Sequence, residues 1–173
     1  MNINIRLWRM EDACALANVL NSKNIHDNLR DGLPLPYTVS DAEAFISTIL
    51  AENPNTSYVR AITVDDTAIG CIGVSRRENI HRLTAEMGYY LAEAYWGRGI
   101  MTRAIKQMCR YIFDNTDIIR IFAEPFAHNI ASLRALEKAG FVYEGTLQKN
   151  AIKNGQLVDT KMYALLRGGC GYG

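Results

Sequence analysis

The fold of this chain is indicated most directly by residues 95–104, which read Tyr95-Trp96-Gly97-Arg98-Gly99-Ile100-Met101-Thr102-Arg103-Ala104. The two glycines follow a predicted strand and precede a predicted helix over residues 100–113. A helix N-terminus presents unpaired N–H groups and the positive end of its dipole, so a glycine-rich turn there predicts an anion site. Because loops contain glycines for other reasons too, the turn alone leaves the ligand open.

Two common phosphate-binding motifs do not fit this turn. It lacks the Gly-Lys-Ser/Thr ending of a P-loop, which argues against an NTPase. It also lacks a third glycine and follows a fourth strand instead of a first one, which disfavours a dinucleotide site.

Strand and helix patterns alternate on both sides of the turn. Ile3, Ile5 and Leu7 alternate with polar residues, and Ser40 and Glu43 form a predicted capping box. Strands are predicted at 3–7, 58–64, 68–74, 85–91, 118–123, 143–149 and 161–166, and helices at 10–20, 40–51, 100–113 and 130–139.

This order predicts an α/β (α+β) fold with a mixed, mostly antiparallel sheet of about 6–7 strands and about 4 flanking helices. The helix between the fourth and fifth strands makes a right-handed crossover, so those two strands should be parallel. Gly88 within the fourth strand suggests a bulge or a close backbone approach. We expect one domain over residues 1–173, with a flexible glycine-rich tail at 167–173.

Composition and charge exclude several classes of protein. Hydrophobic residues make up 49% and charged residues 21% of the 173, which is typical of a globular domain. Because 19 Lys and Arg nearly balance 18 Asp and Glu, no nucleic-acid or acidic-membrane partner is predicted. No apolar run approaches the ~20 residues of a membrane span, and the N-terminus lacks a signal-peptide core, so we expect a cytoplasmic protein.

The cysteines and histidines indicate neither a metal site nor a disulfide framework. The cysteines lie far apart without a C-x-x-C pair, which favours reduced, buried thiols; they are Cys14, Cys71, Cys109 and Cys170. The histidines lack metal-ligand spacing and favour surface or loop positions, although His128 stands beside the predicted site; they are His26, His81 and His128.

Several motifs in order resemble the GNAT superfamily of N-acetyltransferases, and most closely its RimJ/RimL-type branch of ribosomal-protein acetyltransferases. Residues 96–102 resemble the Trp-Gly-Lys-Gly-Tyr-Ala-Thr loop that holds the acetyl-CoA pyrophosphate, with Met101 where a small residue is usual. Glu86-Met87-Gly88-Tyr89 resembles the family's Glu-Ile-Gly-Tyr, and residues 129–141 resemble its second CoA-proximal segment. The resemblance implies that CoA contacts come from Met87, Gly88, Tyr89, Arg98, Gly99, Ile100, Met101, Thr102 and Asn129.

Glu86 is the predicted general base. An amine must be neutral to attack, and a carboxylate reaching it through water can accept the proton. Glu86 precedes Gly88, where the sheet should open for the cofactor, although an outward-facing strand glutamate is the alternative. Backbone N–H groups of Met87 to Tyr89 could polarise the acetyl carbonyl. No nucleophile constellation is evident, which favours direct attack by the amine.

Ser132 is the predicted donor to the thiolate leaving group. Many relatives place a tyrosine in this helix, and by the spacing from Asn129 its position here is Leu136, which cannot donate. The ribosomal-protein branch has a serine three residues after the asparagine, which Ser132 matches, while a water or another tyrosine remains an alternative. Asn129 is also a natural helix cap.

The acceptor amine is the least defined part of the prediction. Family analogy assigns acceptor contacts to the loops at 28–38 and 149–159, where Asp31 and Tyr37 could line an amine pocket or simply pack the loop. We expect transfer of an acetyl group to a primary amine, such as that of a protein N-terminus. Alternatives are a small-molecule acetyltransferase for polyamines or antibiotics, and a non-catalytic acyl-CoA sensor. A monomer or homodimer is expected.

Overall fold

The computed structural model describes residues 1–53 and 57–169. Within them it has seven strands: β1 (Ile3–Arg6), β2 (Ser57–Val64), β3 (Thr67–Arg76), β4 (Thr84–Leu91), β5 (Arg120–Ala123), β6 (Val142–Lys153) and β7 (Gln156–Leu166). The α-helices of the same residues are α1 (Ala13–Leu20), α2 (Lys23–His26), α3 (Val39–Ala51), α4 (Ile100–Asn115) and α5 (Ile130–Lys138). All predicted elements are present, and the four-residue α2 is additional.

The strands form a mixed sheet in the order β1-β2-β3-β4-β5-β7-β6. β4 and β5 are parallel, as the helix between them predicted, whereas β1 with β2, β5 with β7 and β6 with β7 are antiparallel. The predicted fold class is therefore confirmed. The chain falls into two compact units, Met1–Gly73 with Tyr89–Ile100 and Val74–Gly88 with Met101–Gly173.

The core of the first unit is built by α1, α3 and Trp8. The spacing of Ala13, Leu16, Ala17 and Leu20 predicts an apolar stripe on α1, and this stripe is buried, with Leu16 and Leu20 1% and 2% exposed. Trp8 packs edge-to-face on Phe45 of α3 with ring centroids 6.1 Å apart. Full burial of each such large side chain stabilises the fold by about 1.5–3 kcal/mol.

The first strand ends earlier than its alternation predicted. Leu7 is exposed, and Trp8 is buried in its place. The physical cause is Arg6, whose guanidinium donates two hydrogen bonds of 2.8 Å to the carboxylate of Asp12. This ion pair holds the chain in a short 3-10 turn, Met10–Asp12, which replaces the first turn of the predicted helix.

The capping box of α3 was assigned to the wrong residues. Thr38, not Ser40, is the N-cap: its hydroxyl oxygen accepts from the N–H of Asp41, whose carboxylate accepts from the N–H of Thr38. Both pairs fit the same sequence pattern, and the earlier one prevails because it lets the helix begin at Val39.

The second unit contains α4, α5 and the β6–β7 hairpin. Ile105, Met108 and Ile112 line the fully buried side of α4. The hairpin is longer than predicted because both strands continue to the turn at Asn154 and Gly155, whose φ angles are 51° and 74°. Most residues of β6 are exposed on both faces, so the sequence of this strand lacks the alternation of apolar and polar residues that marks a half-buried strand.

The outcome for the cysteines is mixed. Cys71 and Cys109 are buried as predicted, and burial raises the pKa of Cys71 to about 12. Cys14 is exposed, so the expectation of a buried thiol was wrong there, because Cys14 lies outside the apolar stripe of α1. Cys170 lies outside the described residues.

The predicted tail begins at Arg167, directly after β7. The guanidinium of Arg167 donates to the carbonyl oxygens of Ile118 and Thr116, and its backbone N–H donates to that of Ile119. Residues 170–173 of the predicted tail lie outside the described part of the chain. Among the helices described, none combines the length and the apolar character that crossing a membrane requires.

Candidate active site

The glycine turn before α4 adopts a conformation that glycine favours. Gly97 and Gly99 both have φ of +72°, and a Cβ added at either would meet no protein atom within 4 Å. The glycines are therefore required for the left-handed backbone, and the space beside them is open to a ligand. The first N–H groups of α4 lack carbonyl partners within the helix, so the turn has the features of an anion site.

Neighbouring aromatic residues hold this turn. The indole N–H of Trp96 donates to the carbonyl oxygen of Leu91 at 2.7 Å, and the guanidinium of Arg98 lies 5.6 Å from the ring centre of Tyr95. Arg98 is exposed at the surface. Of the helix residues predicted to hold pyrophosphate, Ile100 is buried, while Met101 and Thr102 are half-buried. Ile100 can therefore contribute its backbone N–H but not its side chain.

β4 alternates between core and site. Ala85 and Met87 are buried, whereas the side chain of Glu86 is 19% exposed. β4 is paired in parallel with β5 from Thr84 to Glu86, and the last residue pair is Glu86 with Phe122. β4 continues to Leu91, whereas its registered pairing with β5 ends at Glu86, two residues before Gly88. No protein atom lies within 4 Å of a Cβ built on Gly88, so the predicted close approach is not made by the protein's own described atoms.

Glu86 is ion-paired with Arg77, which follows β3. The guanidinium lies 3.5 Å from Oε2 of Glu86, and the backbone N–H of Arg77 donates to the carbonyl oxygen of Thr84 at 2.8 Å. The backbone bond fixes Arg77 beside β4, so the pair is set by the sheet. Arg77 was not singled out in the sequence, because the contact depends on how β3 leads into β4.

A cavity of about 320 Å³ lies on the same face of the sheet; Arg77, His81, Thr84, Arg120, Phe122 and Met162 line it. Arg120 donates to both carboxylate oxygens of Glu144, at 2.7 and 2.6 Å. This interaction raises the pKa of Arg120 and lowers that of Glu144. Both guanidiniums of the cavity are thus already paired with carboxylates, and the cavity is not a simple anion pocket.

α5 begins as predicted, with Asn129 as its cap. Oδ1 of Asn129 accepts a hydrogen bond of 3.3 Å from the backbone N–H of Ser132. Ser132 is half-buried and Leu136 fully buried, so the position of the missing tyrosine belongs to the core. The period of the apolar residues Ile130, Leu133, Leu136 and Ala139 predicts one buried stripe on this helix, but Ile130 is 51% exposed, because it is the first helical residue and lies beyond the packed surface.

α5 covers the sheet face opposite to Glu86. Tyr163 of β7 is paired with Ala123, one residue beyond Phe122, and its hydroxyl donates to Glu137 of α5 at 2.8 Å. Burial and the neighbouring Glu137 raise the pKa of Tyr163 to about 12, which keeps the hydroxyl protonated as a donor. Because neighbouring strand positions point to opposite faces, Ser132 and Glu86 belong to opposite faces of the sheet.

The two predicted acceptor residues lie in different environments. Asp31 is exposed on its loop. The ring of Tyr37 is 4% exposed in the core of the first unit, and its backbone N–H and C=O bond the side chain of Asn21 at 2.9 and 2.6 Å. Burial raises the pKa of Tyr37. This placement favours the packing interpretation of Tyr37 over a place in an amine pocket.

The histidines have separate surroundings. His128 stacks on Phe126 at 5.5 Å, and Nε2 of His26 lies 2.6 Å from the carbonyl oxygen of Leu20. His81 lines the cavity. Within the part of the chain that the structure describes, no group of three or more His, Cys, Asp or Glu could hold a metal ion.

One polar network at the end of β5, of which only Thr160 is buried, was missed by sequence reasoning. Glu124 is bonded to Asn150 of β6 and Thr160 of β7 at 2.6 and 2.8 Å. Period-2 alternation from Phe122 already places Glu124 on the face of Glu86, so part of the signal was present. Its partners depend on the bulge in β6, which no local pattern indicates.

Comparison with known proteins identifies the family. Residues 2–142 match the family described as the acetyltransferase (GNAT) domain. The chain belongs to this GNAT acetyltransferase family. The predicted membership is confirmed, and the glycine turn and strands β4 and β5 lie within the matched GNAT region.

Individual relatives agree with this assignment. YjcK of Bacillus subtilis, described as a probable N-acetyltransferase, is 38% identical over 102 residues, covering 59% of this chain and 56% of that protein. The ribosomal-protein-serine acetyltransferase of Escherichia coli is 29% identical over 100 residues, covering 58% and 55%. These matches thus span little more than half of the length of either relative.

Solved structures show the same GNAT fold. Mycobacterium smegmatis RimJ in complex with CoA-disulfide superposes with a TM-score of 0.88 at 22% identity, covering 98% of this chain and 84% of RimJ. The predicted resemblance to the RimJ/RimL branch is therefore confirmed at the level of the fold.

Proposed function

We propose that this protein transfers an acetyl group from acetyl-CoA to a primary amine by direct attack. The observation that carries the proposal is the left-handed Gly97–Gly99 turn at the start of α4 in a chain of the GNAT family. An anion site at a helix N-terminus suits the pyrophosphate of CoA, and the open space beside both glycines leaves room for it. We further propose that one domain over residues 1–173 performs this reaction.

The end of the β4–β5 pairing supports a place for the thioester. Beyond Glu86 and Phe122, Met87 and Gly88 have no registered partner on β5 among the described residues. The backbone N–H of this segment that faces the β5 side could bond the acetyl carbonyl and stabilise the negative charge that develops on its oxygen during attack. Met87 would act through its backbone, since its side chain is 3% exposed.

The opposite placement of Glu86 and Ser132 supports the proposed proton transfers. The amine approaches from the Glu86 face, and its nitrogen forms a bond to the acetyl carbon as the carbon–sulfur bond breaks. Glu86, through a water, takes the proton that the amine loses. The Ser132 hydroxyl passes a proton to the CoA thiolate from the α5 face and regains one from solvent. The thioester then has to lie next to the end of the β4–β5 pairing.

The acceptor that we propose is a protein N-terminal amine. The relative of Escherichia coli named above is a ribosomal-protein-serine acetyltransferase, which supports this choice. An α-amino group titrates near ~8 and a lysine side chain near ~10.4, so a terminal amine needs less help from a base. Polyamines and aminoglycosides are the competing acceptors that the experiment must separate.

Two measurements test the proposal. Thermal unfolding with CoA and with NADP tests the cosubstrate: we expect stabilisation by CoA alone, and stabilisation by NADP alone would contradict the assignment. CoA release from acetyl-CoA is then followed with a panel of N-terminal peptides, spermidine and an aminoglycoside. CoA binding without release with any amine would favour an acyl-CoA sensor and overturn the enzymatic proposal.

A further inference from the structure

Glu124 lies on the same face of the sheet as the proposed base. It follows β5, and the ladder with β7 continues past it, because the N–H of Lys161 donates to the carbonyl oxygen of Pro125 at 2.9 Å. Because Glu124 comes two residues after Phe122, the two side chains lie on the same face of the sheet. The registered partner of Phe122 on β4 is Glu86, which therefore lies on that face as well. The two carboxylates therefore lie on the same face of the sheet, near the end of the β4–β5 pairing.

One oxygen of Glu124 is held by two side chains. Oε1 accepts from Nδ2 of Asn150 at 2.6 Å and from the hydroxyl of Thr160 at 2.8 Å. Nδ2 of Asn150 also donates to Oγ1 of Thr160 at 2.8 Å, which closes a three-membered network. Thr160 is 3% exposed, so the network is anchored in the protein interior.

A bulge in β6 brings Asn150 to this carboxylate. The register with β7 shifts between Leu147 and Ala151, and Lys149 within the bulge has φ of +50°. The N–H of Lys149 donates to Oδ1 of Asp159 at 2.8 Å. A non-glycine residue is strained in this region of backbone conformations. The strained bulge, held by Asp159, thus places the side-chain amide of Asn150 within hydrogen-bonding distance of Glu124.

The second oxygen of Glu124 is available. Within the described residues, Oε2 accepts no hydrogen bond and no Lys or Arg pairs with this carboxylate. Glu86, by contrast, already faces the guanidinium of Arg77. A half-buried carboxylate fixed through one oxygen and lacking a cation is suited to bind an ammonium group from outside.

We propose that Oε2 of Glu124 binds the ammonium group of the acceptor and positions it on the Glu86 face before its proton is removed. This inference rests on the proposed acetyltransferase function and assigns a separate task to each carboxylate. Glu124 binds the charged amine, and Glu86 accepts its proton. The acceptor predicted from this role is a primary amine that binds in its protonated, positively charged form.

The test compares Glu124→Gln with Asp114→Asn. Glutamine keeps an oxygen that accepts from Asn150 and Thr160, so the network and the fold should persist while the charge is lost. Asp114 is exposed near the end of α4 and provides the matched loss of one negative charge elsewhere. Binding of spermidine and of an N-terminal seryl peptide is measured by calorimetry in the presence of CoA, beside unfolding temperatures and CoA affinity.

We expect Glu124→Gln to weaken amine binding at least tenfold with unchanged CoA affinity, and Asp114→Asn to change neither. Asn150→Ala should weaken amine binding less, about threefold to fivefold, because Oε1 loses one of its two donors. Equal amine affinity in the original protein and Glu124→Gln would overturn the inference, as would an original protein that binds no amine. Amine binding without any CoA release would instead contradict the proposed function alone.

Discussion

Arg77 and Glu86 form an ion pair in which the guanidinium lies 3.5 Å from the carboxylate oxygen Oε2. Arg77 is about half exposed, so the pair is screened by solvent and contributes at most about 1 kcal/mol to stability. Its importance is therefore geometric. It orients the carboxylate of the proposed base on the open face of β4.

Glu86→Gln should lower kcat by about 10²–10⁴-fold, because the amide keeps the shape of the side chain but cannot accept the proton of the amine. CoA affinity and unfolding temperature should stay close to those of the original protein. Steady-state kinetics against pH check this, with the exposed Glu78→Gln as control. An unchanged pH–rate profile in Glu86→Gln would show that another group is the base.

Gly99→Ala should weaken CoA binding about tenfold. The alanine must adopt φ near +72°, at a cost of about 1–2 kcal/mol, and its methyl group projects into the space proposed for the pyrophosphate. Gly155→Ala is the matched control, since Gly155 has φ of +74° and equally open surroundings in the hairpin turn. Both variants should lose similar stability. A similar loss of CoA affinity in both would refute the pyrophosphate assignment.

Ser132→Ala should lower kcat by roughly tenfold to a hundredfold without lowering stability. The helix cap uses the backbone N–H of Ser132 and the side chain of Asn129, so alanine at 132 keeps it. Single-turnover kinetics and thermal unfolding separate the two effects. Unchanged kcat would assign thiolate protonation to a water or another group.

Variants of the helix cap Asn129 provide the comparison for Ser132→Ala. Asn129→Ala should lose about 1 kcal/mol of stability, whereas Asn129→Asp, which also caps, should not. If both variants nevertheless lose CoA affinity, the amide of Asn129 contacts the cofactor in addition to capping the helix.

Asp12→Asn should destabilise the protein by about 2 kcal/mol near neutral pH, because Arg6 loses two charge-assisted hydrogen bonds and keeps only its exposed partner Asp66. Burial opposes ionisation of Asp12, but hydrogen bonds from Arg6 and the N–H of Arg9 outweigh it and hold its pKa below the ordinary 3.8. A depressed pKa contributes stability above pH 3.8 that is lost as the pH falls through the folded-state value.

The stability difference between the original protein and Asp12→Asn should therefore narrow below about pH 4. Urea unfolding at neutral and acidic pH measures it, with Asp114→Asn as the exposed control. A difference that stays constant across this range would contradict the role given to the ion pair.

Much of the fold could be predicted because its signals are local. The apolar stripe of α1, the glycine turn before α4 and the parallel crossover from β4 to β5 each follow from neighbours along the chain. The cap of α3 was predicted two residues too late, because Thr38 and Ser40 fit the same pattern and only the observed start of the helix distinguishes them. β1 was predicted too long because alternation does not reveal the Arg6–Asp12 pair.

The sequence by itself determined the order of elements, the glycine turn before α4, the cap at Asn129 and the candidacy of Glu86, since periodicity and turn chemistry are properties of contiguous residues. Tertiary structure alone decided that Arg77 pairs with Glu86, that Tyr37 lies in the core and that Asn150 and Thr160 hold Glu124. These contacts join distant segments, and they depend on strand register and on one bulge. Shifting a strand by one residue would turn its side chains to the other face, so such contacts cannot be inferred from spacing along the chain.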